Sequence, residues 1–311
     1  MPLFLSESEV RAALPMPDLI EAMQSALAAF SAGEVIQPVR TALEFGPRNF
    51  FAVMPACDPA LNLVGAKLVT VVPENTAKGL HSHQALIAIF DRSDGELLAV
   101  MDGRYITEAR TAAVSAVSAR HLARADAKTL AIIGTGVQAR SHLEALPLTR
   151  RLTEVRAWSP NRVHLQTFAA AAARPVIAAS SVQEAVHGAD IVVLATSAVE
   201  PVLLYEWLAP GTHVIAVGAC RPTQREMEGK LLGRAKVVVD SRAAALVEAG
   251  DILMAIREEH FAADRIYGEL GEIAGGQKAG RQSSDEITVF KSLGLAIEDI
   301  VSAGVVYRRV T

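Results

Sequence analysis

The chain has little of what announces a special environment. Only two of its 311 residues are cysteine, Cys57 and Cys220, far apart in the sequence. That excludes a disulfide framework and a cysteine-based zinc pattern, and it fits a reducing compartment. Its apolar runs, such as IVVLA at 191–195, fall far short of the ~20 residues a membrane span needs. The opening MPLFLSESEV lacks the basic stretch and longer apolar core of a signal peptide. The expectation is a cytoplasmic protein with no membrane partner. No charge of one sign dominates: the net is −4, without the basic footprint that nucleic acid requires. Aromatic residues are scarce at 5 %. There is no solenoid-period repeat, low-complexity tract or long linker. What is present, 51 % hydrophobic and 21 % charged residues, is ordinary globular usage in a length that allows two domains.

Three textures follow one another. At the N-terminus Ser6 and Glu9 form a capping box with Leu5 and Val10 as its staple, and a longer helix is predicted from Pro17 to Ser31, ended by Gly33. From Gln37 to Val100 the runs RTALEF, FFAVMPA, VGAKLVTVV, QALIAIFD and ELLAVMD predict a mostly antiparallel sheet, with a hairpin turn at 91–97. A helix is predicted from about Thr107 to residue 123. Then LAIIG, EVRAW, DIVVLAT, HVIAVGA and AKVVVDS alternate with helical segments, and these strands are apolar without period 2. That is the mark of a parallel sheet covered on both faces. The last stretch, from Asp285 onward, reads as helix ending in a strand.

The segment AIIGTGVQARSH carries Gly134, Gly136 and Ala139 as G-x-G-x-x-A between a strand and a helix. Gly134 allows the tight turn, Gly136 lets backbone approach a pyrophosphate, and Ala139 lets helix and strand pack closely. The alternative, glycines serving only a tight turn, accounts less well for the strand before and the helix after. An acid about 20 residues beyond such a motif normally holds the ribose 2′-hydroxyl of NAD. Here strand EVRAW is followed by SPNR. Ser159, Asn161 and Arg162 offer donors and one positive charge, which favours NADP(H) and leaves NAD(H) as the alternative.

Arg40, Lys67 and Arg110 stand on apolar or small-residue backgrounds in the first 110 residues. A buried basic residue is rare unless paired. Holding an anionic substrate, most simply a carboxylate, accounts for all three. His81 and His83 share a strand face, but no motif supplies a third metal ligand. His83 is read as a pocket or packing residue, and no metal is expected.

Together the blocks PVRTALEF, GAKLVTVVPEN, HSHQALIAIFD, TEARTAAVSAV, IIGTGVQARSHLEAL, AVGACRPTQREM, GELGEI and EITVFKSLGLAIED, in this order, resemble the ornithine cyclodeaminase/mu-crystallin family over nearly the whole chain. The resemblance implies an α/β protein: a Rossmann-type doubly wound parallel sheet domain at 119–294, and an α+β substrate and dimerisation domain at 1–118, completed by about 295–311. It implies a homodimer acting on a small carboxylate-bearing amino or imino acid. Arg40, Lys67 and Arg110 match the family's substrate-contacting basic residues, with Lys67 and Arg110 the catalytic candidates. Met54 falls at another pocket position, and Ser82 and His83 in a loop near substrate and nicotinamide. Gly134, Thr135, Gly136, Val137, Gln138, Ser159, Asn161, Arg162, Thr196, Val217 and Ser292 match cofactor positions, with Arg110 beside them.

The family's reactions share a hydride step at the α-carbon of an amino acid or its imine. Ornithine cyclodeaminases typically carry an aspartate where this chain has Cys220, which lines the same pocket. A carboxylate accepts protons and pairs with an ammonium; a thiol with an ordinary pKa near ~8.5 does neither well. GACRP, a small residue followed by Arg-Pro, resembles the mu-crystallin branch. The leading expectation is therefore a ketimine reductase or amino-acid dehydrogenase. Two alternatives stay open. One is ornithine cyclodeaminase, with Glu226 or Glu228 replacing the aspartate; the other is a non-enzymatic small-molecule binding protein.

Overall fold

A computed structural model describes residues 1–47 and 49–311. It comprises two units, Met1–Arg110 with Gly294–Thr311, and Thr111–Leu293. The α/β class expected from the sequence is borne out.

The first unit is built on a six-stranded sheet. Its strands are β1 (Leu3–Leu5), β2 (Thr41–Gly46), β3 (Asn49–Asp58), β4 (Leu63–Val71), β5 (His83–Asp91) and β6 (Leu97–Asp102), in the order β1-β6-β5-β4-β3-β2. All neighbours are antiparallel except β1, which joins β6 in parallel. Burial alternates over residues 51–58 of β3 and 63–70 of β4. One face therefore carries Ala52, Met54 and Ala56 opposite Val69, Lys67 and Gly65, with Ile87 and Ile89 beyond. The helix Ala296–Val310 packs against β3 and β4, and against the helix Met16–Ser31. The N-terminal capping box is present, Ser6 N donating to Glu9 Oε2 at 2.8 Å.

The second unit is an eight-stranded, wholly parallel sheet. Its strands are β7 (Thr129–Ile133), β8 (Glu154–Trp158), β9 (Ile177–Ala178), β10 (Ile191–Leu194), β11 (His213–Ala216), β12 (Lys236–Val239), β13 (Ile266–Glu269) and β14 (Thr288–Lys291), in the order β13-β12-β14-β11-β10-β7-β8-β9. Strands β10, β11 and β14 are buried at every residue. That is why β10 and β11 read as apolar runs without period 2. The chain builds outward from β7 through β8 to β9, then returns to β10 on the other side. The carboxyl ends of β7 and β10 thus flank a topological switch point, where such sheets bind ligands.

The C-terminal stretch corrects the sequence reading. Thr288–Lys291 is not helical; it is β14, bonded on both sides between β11 and β12. Its partners are distant in sequence, so no local pattern marks it. The chain does not end in a strand either: Ala296–Val310 is one helix. β-Branched VVY is overridden there because Ile297, Ile300, Val301 and Gly304, at helical spacing, are buried. The helix expected from Thr107 begins earlier, at Arg104.

Candidate active site

In the first unit the sheet face under the helix Ala296–Val310 gathers charge. Lys67 on β4 is 2 % exposed, and its Nζ lies 2.6 Å from Asp299 Oδ2. Arg110 donates from Nε to Asp299 Oδ1 at 3.2 Å and from Nη1 to Glu298 Oε2 at 2.7 Å. Asp299 thereby bridges two of the three expected basic residues. Both acids are fully buried in the first turn of their helix, where the dipole favours negative charge. The pKa of Lys67 is lowered from 10.5 to about 8: burial pushes it down most, Asp299 pulls it back up, and the charges of Arg110 and Arg40 push it down further. Arg40, half-buried just before β2, thus acts on the same lysine. Met54 is the cross-strand partner of Lys67. His83, on the same face but further along β5 opposite Val71, is exposed, with Nδ1 3.1 Å from the Ser82 hydroxyl. Gly294, φ +85°, makes room for this cluster: a Cβ there would stand 2.4 Å from Arg110 Nη1.

Asp299 and Glu298 were missed in the sequence. Two acids opening a helix look like ordinary solvated capping charge. Their signal, two adjacent carboxylates in an otherwise apolar run, becomes meaningful only once Lys67 is placed opposite.

In the second unit the ladder runs one residue past each central strand. Ala195 N donates to Ile133 O at 2.9 Å, Val217 N to Leu194 O at 2.9 Å, and Ser292 N to Ala216 O at 3.1 Å. This lines up Gly134, Thr196, Val217 and Ser292 at the carboxyl ends of β7, β10, β11 and β14. Gly134 has φ +114°, and a Cβ on it would come within 2.4 Å of Ala195 O. At Gly136 a Cβ would meet no atom within 4 Å. Packing therefore does not demand that glycine, whereas close approach of a pyrophosphate does. The next residues, Val137 and Gln138, open the helix Val137–Ala145, whose first N–H groups lack intrahelical partners. Gln138 Oε1 is buried with no hydrogen-bond partner among the described residues. Thr135 is half-buried in the turn. These features fit a dinucleotide.

The SPNR turn is also helix-start chemistry. Ser159 Oγ accepts from Asn161 N at 3.4 Å, and Asn161 Oδ1 caps the next helix by accepting from Val163 N and His164 N at 3.0 and 3.1 Å. Arg162 Nη1 donates to Ala179 O at 3.0 Å, leaving an exposed guanidinium anchored at one corner.

Cys220 donates from Sγ to Val217 O at 3.4 Å. The two acids considered as substitutes for an aspartate there are both bound to backbone. Glu226 is fully buried. Its Oε1 accepts from Thr196 N and Oγ1 at 2.7 and 2.8 Å, and its Oε2 from Gly218 N and Ala219 N at 2.7 and 3.0 Å. Burial pushes its carboxyl up, against the pull of Lys291. Glu228 Oε1 accepts from Tyr205 N. A second buried ion pair lies beside them: Lys291 Nζ stands 3.0 Å from Asp251 Oδ2 and donates to Ala219 O at 2.5 Å. Burial alone would lower Lys291, but Asp251, Cys220 and Glu226 together raise it. Ser292 Oγ donates to buried Asp240 at 3.4 Å.

A doubly wound parallel sheet whose first βα turn is shaped in this way defines the class of dinucleotide-binding proteins. The chain belongs to the ornithine cyclodeaminase/mu-crystallin family, whose model matches residues 1–311. It is 45 % identical over 311 residues to the ketimine reductase mu-crystallin of Rattus norvegicus, covering 98 % of this chain and 96 % of the relative. Among solved structures it is similar to Delta(1)-pyrroline-2-carboxylate reductase of Thermococcus litoralis in complex with NADH and L-proline, with TM-score 0.97 and 36 % identity over 99 % of this chain and 97 % of that one. It is also similar to an archaeal alanine dehydrogenase dimer with bound NAD, with TM-score 0.92 and 33 % identity over 99 % and 96 % of the two chains.

Proposed function

We propose that the protein reduces the C=N bond of a small cyclic α-imino acid with NADPH, forming the cyclic α-amino acid. The observation that carries this reading is the set of groups around residue 220. Releasing ammonia from ornithine calls for an acid there. The chain has a thiol, and Glu226 and Glu228 are committed to backbone amides. The ketimine and pyrroline-2-carboxylate reductase relatives support the same chemistry.

A bound reduced nicotinamide supplies the hydride. In this reading Arg40 and Arg110 meet the substrate carboxylate. Lys67, held by Asp299, gives a proton to the imine nitrogen and regains one from solvent. With its pKa lowered to about 8, it is charged at neutral pH yet acidic enough to donate. Gly134, Gly136 and the helix start at Val137 and Gln138 would hold the pyrophosphate. The missing acid after β8 and the exposed Arg162 guanidinium favour a 2′-phosphate.

A second copy is proposed to pair with the first unit. The sheet face opposite Lys67 is apolar through Phe51, Val53, Leu68 and Leu86, with Leu43 60 % and Leu86 41 % exposed.

The test is oxidation of NADPH and NADH against a panel of cyclic ketimines, with ornithine run beside them. Turnover of a ring imine with at least a tenfold NADPH preference, reduced in Arg162→Ala, is expected. Proline and ammonia released from ornithine with catalytic NAD would overturn the reading.

A further inference from the structure

Glu226 is too deeply buried and too fully bonded to handle protons from a substrate. Its four donors come from two separate loops: Thr196 follows β10, while Gly218 and Ala219 follow β11. Three of these donors are backbone N–H groups, each of which needs an acceptor where it is buried. The carboxylate has four acceptor sites for four donors, so it is saturated as an anion. Glu226 is fixed in turn through its own backbone. Asp251 Oδ1 accepts from Glu226 N at 2.7 Å and from Met227 N at 3.1 Å, while Asp251 Oδ2 pairs with Lys291. Lys291 returns to the same loop by donating to Ala219 O. Both backbone groups of Ala219 are therefore held by buried charges, one of each sign.

The loops are pressed together where this happens. A Cβ on Gly218 would lie 2.1 Å from Thr196 O and 2.5 Å from Glu226 Oε1. Residue 220 follows directly, its thiol turned onto Val217 O.

We propose that Glu226 is a positioning residue: its carboxylate clasps the loops after β10 and β11 and so sets where Thr196, Val217 and Cys220 stand against the nicotinamide half of the cofactor. This rests on the reading of the second unit as the site of a nicotinamide dinucleotide. The adenosine half, toward β8 and Ser159, lies outside the clasp.

Glu226→Gln tests it, because in either amide orientation the glutamine N–H₂ faces at least one backbone N–H that the carboxylate accepted. The expected result is a binding split in a folded variant. The Kd for NADPH should rise by about tenfold or more, while the Kd for the nicotinamide-free fragment 2′-phospho-ADP-ribose should stay within twofold. kcat should fall with the imine KM little changed. Equal weakening of both ligands, or of neither, overturns the proposal. Should the variant fail to fold, amide hydrogen exchange on the wild type decides. The amides of Thr196, Gly218 and Ala219 should exchange as slowly as those of β10 and β11 without ligand, and fast exchange overturns the clasp. A wild type without nicotinamide-dependent turnover would defeat the functional reading instead, and the same exchange measurement would still judge Glu226.

Discussion

The two units each bury a lysine against an aspartate, and the pairs look alike. Lys67 stands 2.6 Å from Asp299 and Lys291 3.0 Å from Asp251, all four side chains being inaccessible. Their proton affinities nevertheless move in opposite directions. Burial outweighs the pull of Asp299 and, with Arg110 and Arg40 pushing the same way, leaves Lys67 lowered to about 8. Burial acts on Lys291 too, but Asp251, Cys220 and Glu226 outweigh it and raise the pKa. A lysine among cations is ready to give up its proton, whereas one among anions is a fixed charge that ties backbone together. The neighbours decide the role, not the pairing.

The largest effect should separate the two directly. Lys67→Met removes the proposed proton donor from a site whose other cations remain, so kcat/KM should fall by about 10²–10⁴-fold while the protein still folds. Near-normal kcat and KM would end the proton-donor role. Lys291→Met should act on stability. It strands Asp251 and the Ala219 carbonyl in a fully buried setting, at a cost of about 3–5 kcal/mol, read as a lowered denaturant midpoint. If Lys291→Met lost activity with stability intact, the contrast between the lysines would collapse.

The sequence showed one half of this comparison and hid the other. Lys67 was legible because a charge inside VGAKLVTVV conflicts with a buried strand. Asp299 was not, because acids opening a helix are what capping predicts. Lys291 was invisible for a different reason. Its segment reads as helix, and only the insertion of β14 between β11 and β12 shows that the residue is interior. The glycine turn was legible because Gly134 and Gly136 act through their own backbone. Asn161 was half-legible: a cap residue before a helical pattern, read first as a cofactor donor. Local signals survived; pairings across long sequence separations did not.

A smaller effect concerns pH. If Lys67 donates the proton, the reactive enzyme is the form with Lys67 charged. Activity should be flat below about 8 and fall tenfold per unit above it, because the folded-state pKa is depressed to about 8 from 10.5. The kcat/KM profile for imine reduction checks this. A profile flat to pH 10 would place the proton elsewhere, and a Lys67→Met variant that keeps the limb would assign it to another group.

The smallest expected effect bears on what sets that limb. Gly294→Ala places a Cβ 2.4 Å from Arg110 Nη1 at a φ of +85°. The strain should lower stability by about 1–3 kcal/mol and push the guanidinium away from Asp299. Lys67 then loses a repelling neighbour and gains a larger share of Asp299, so its pKa should rise and the alkaline limb should move to higher pH. The imine KM should rise as Arg110 leaves its place. Lys291, in the other unit, should be unaffected, and the NADPH Kd with it. A limb that stays near 8 while the imine KM rises would mean that burial alone sets the pKa of Lys67. The difference between the two lysines would then lie with the anions around Lys291, not with the cations around Lys67.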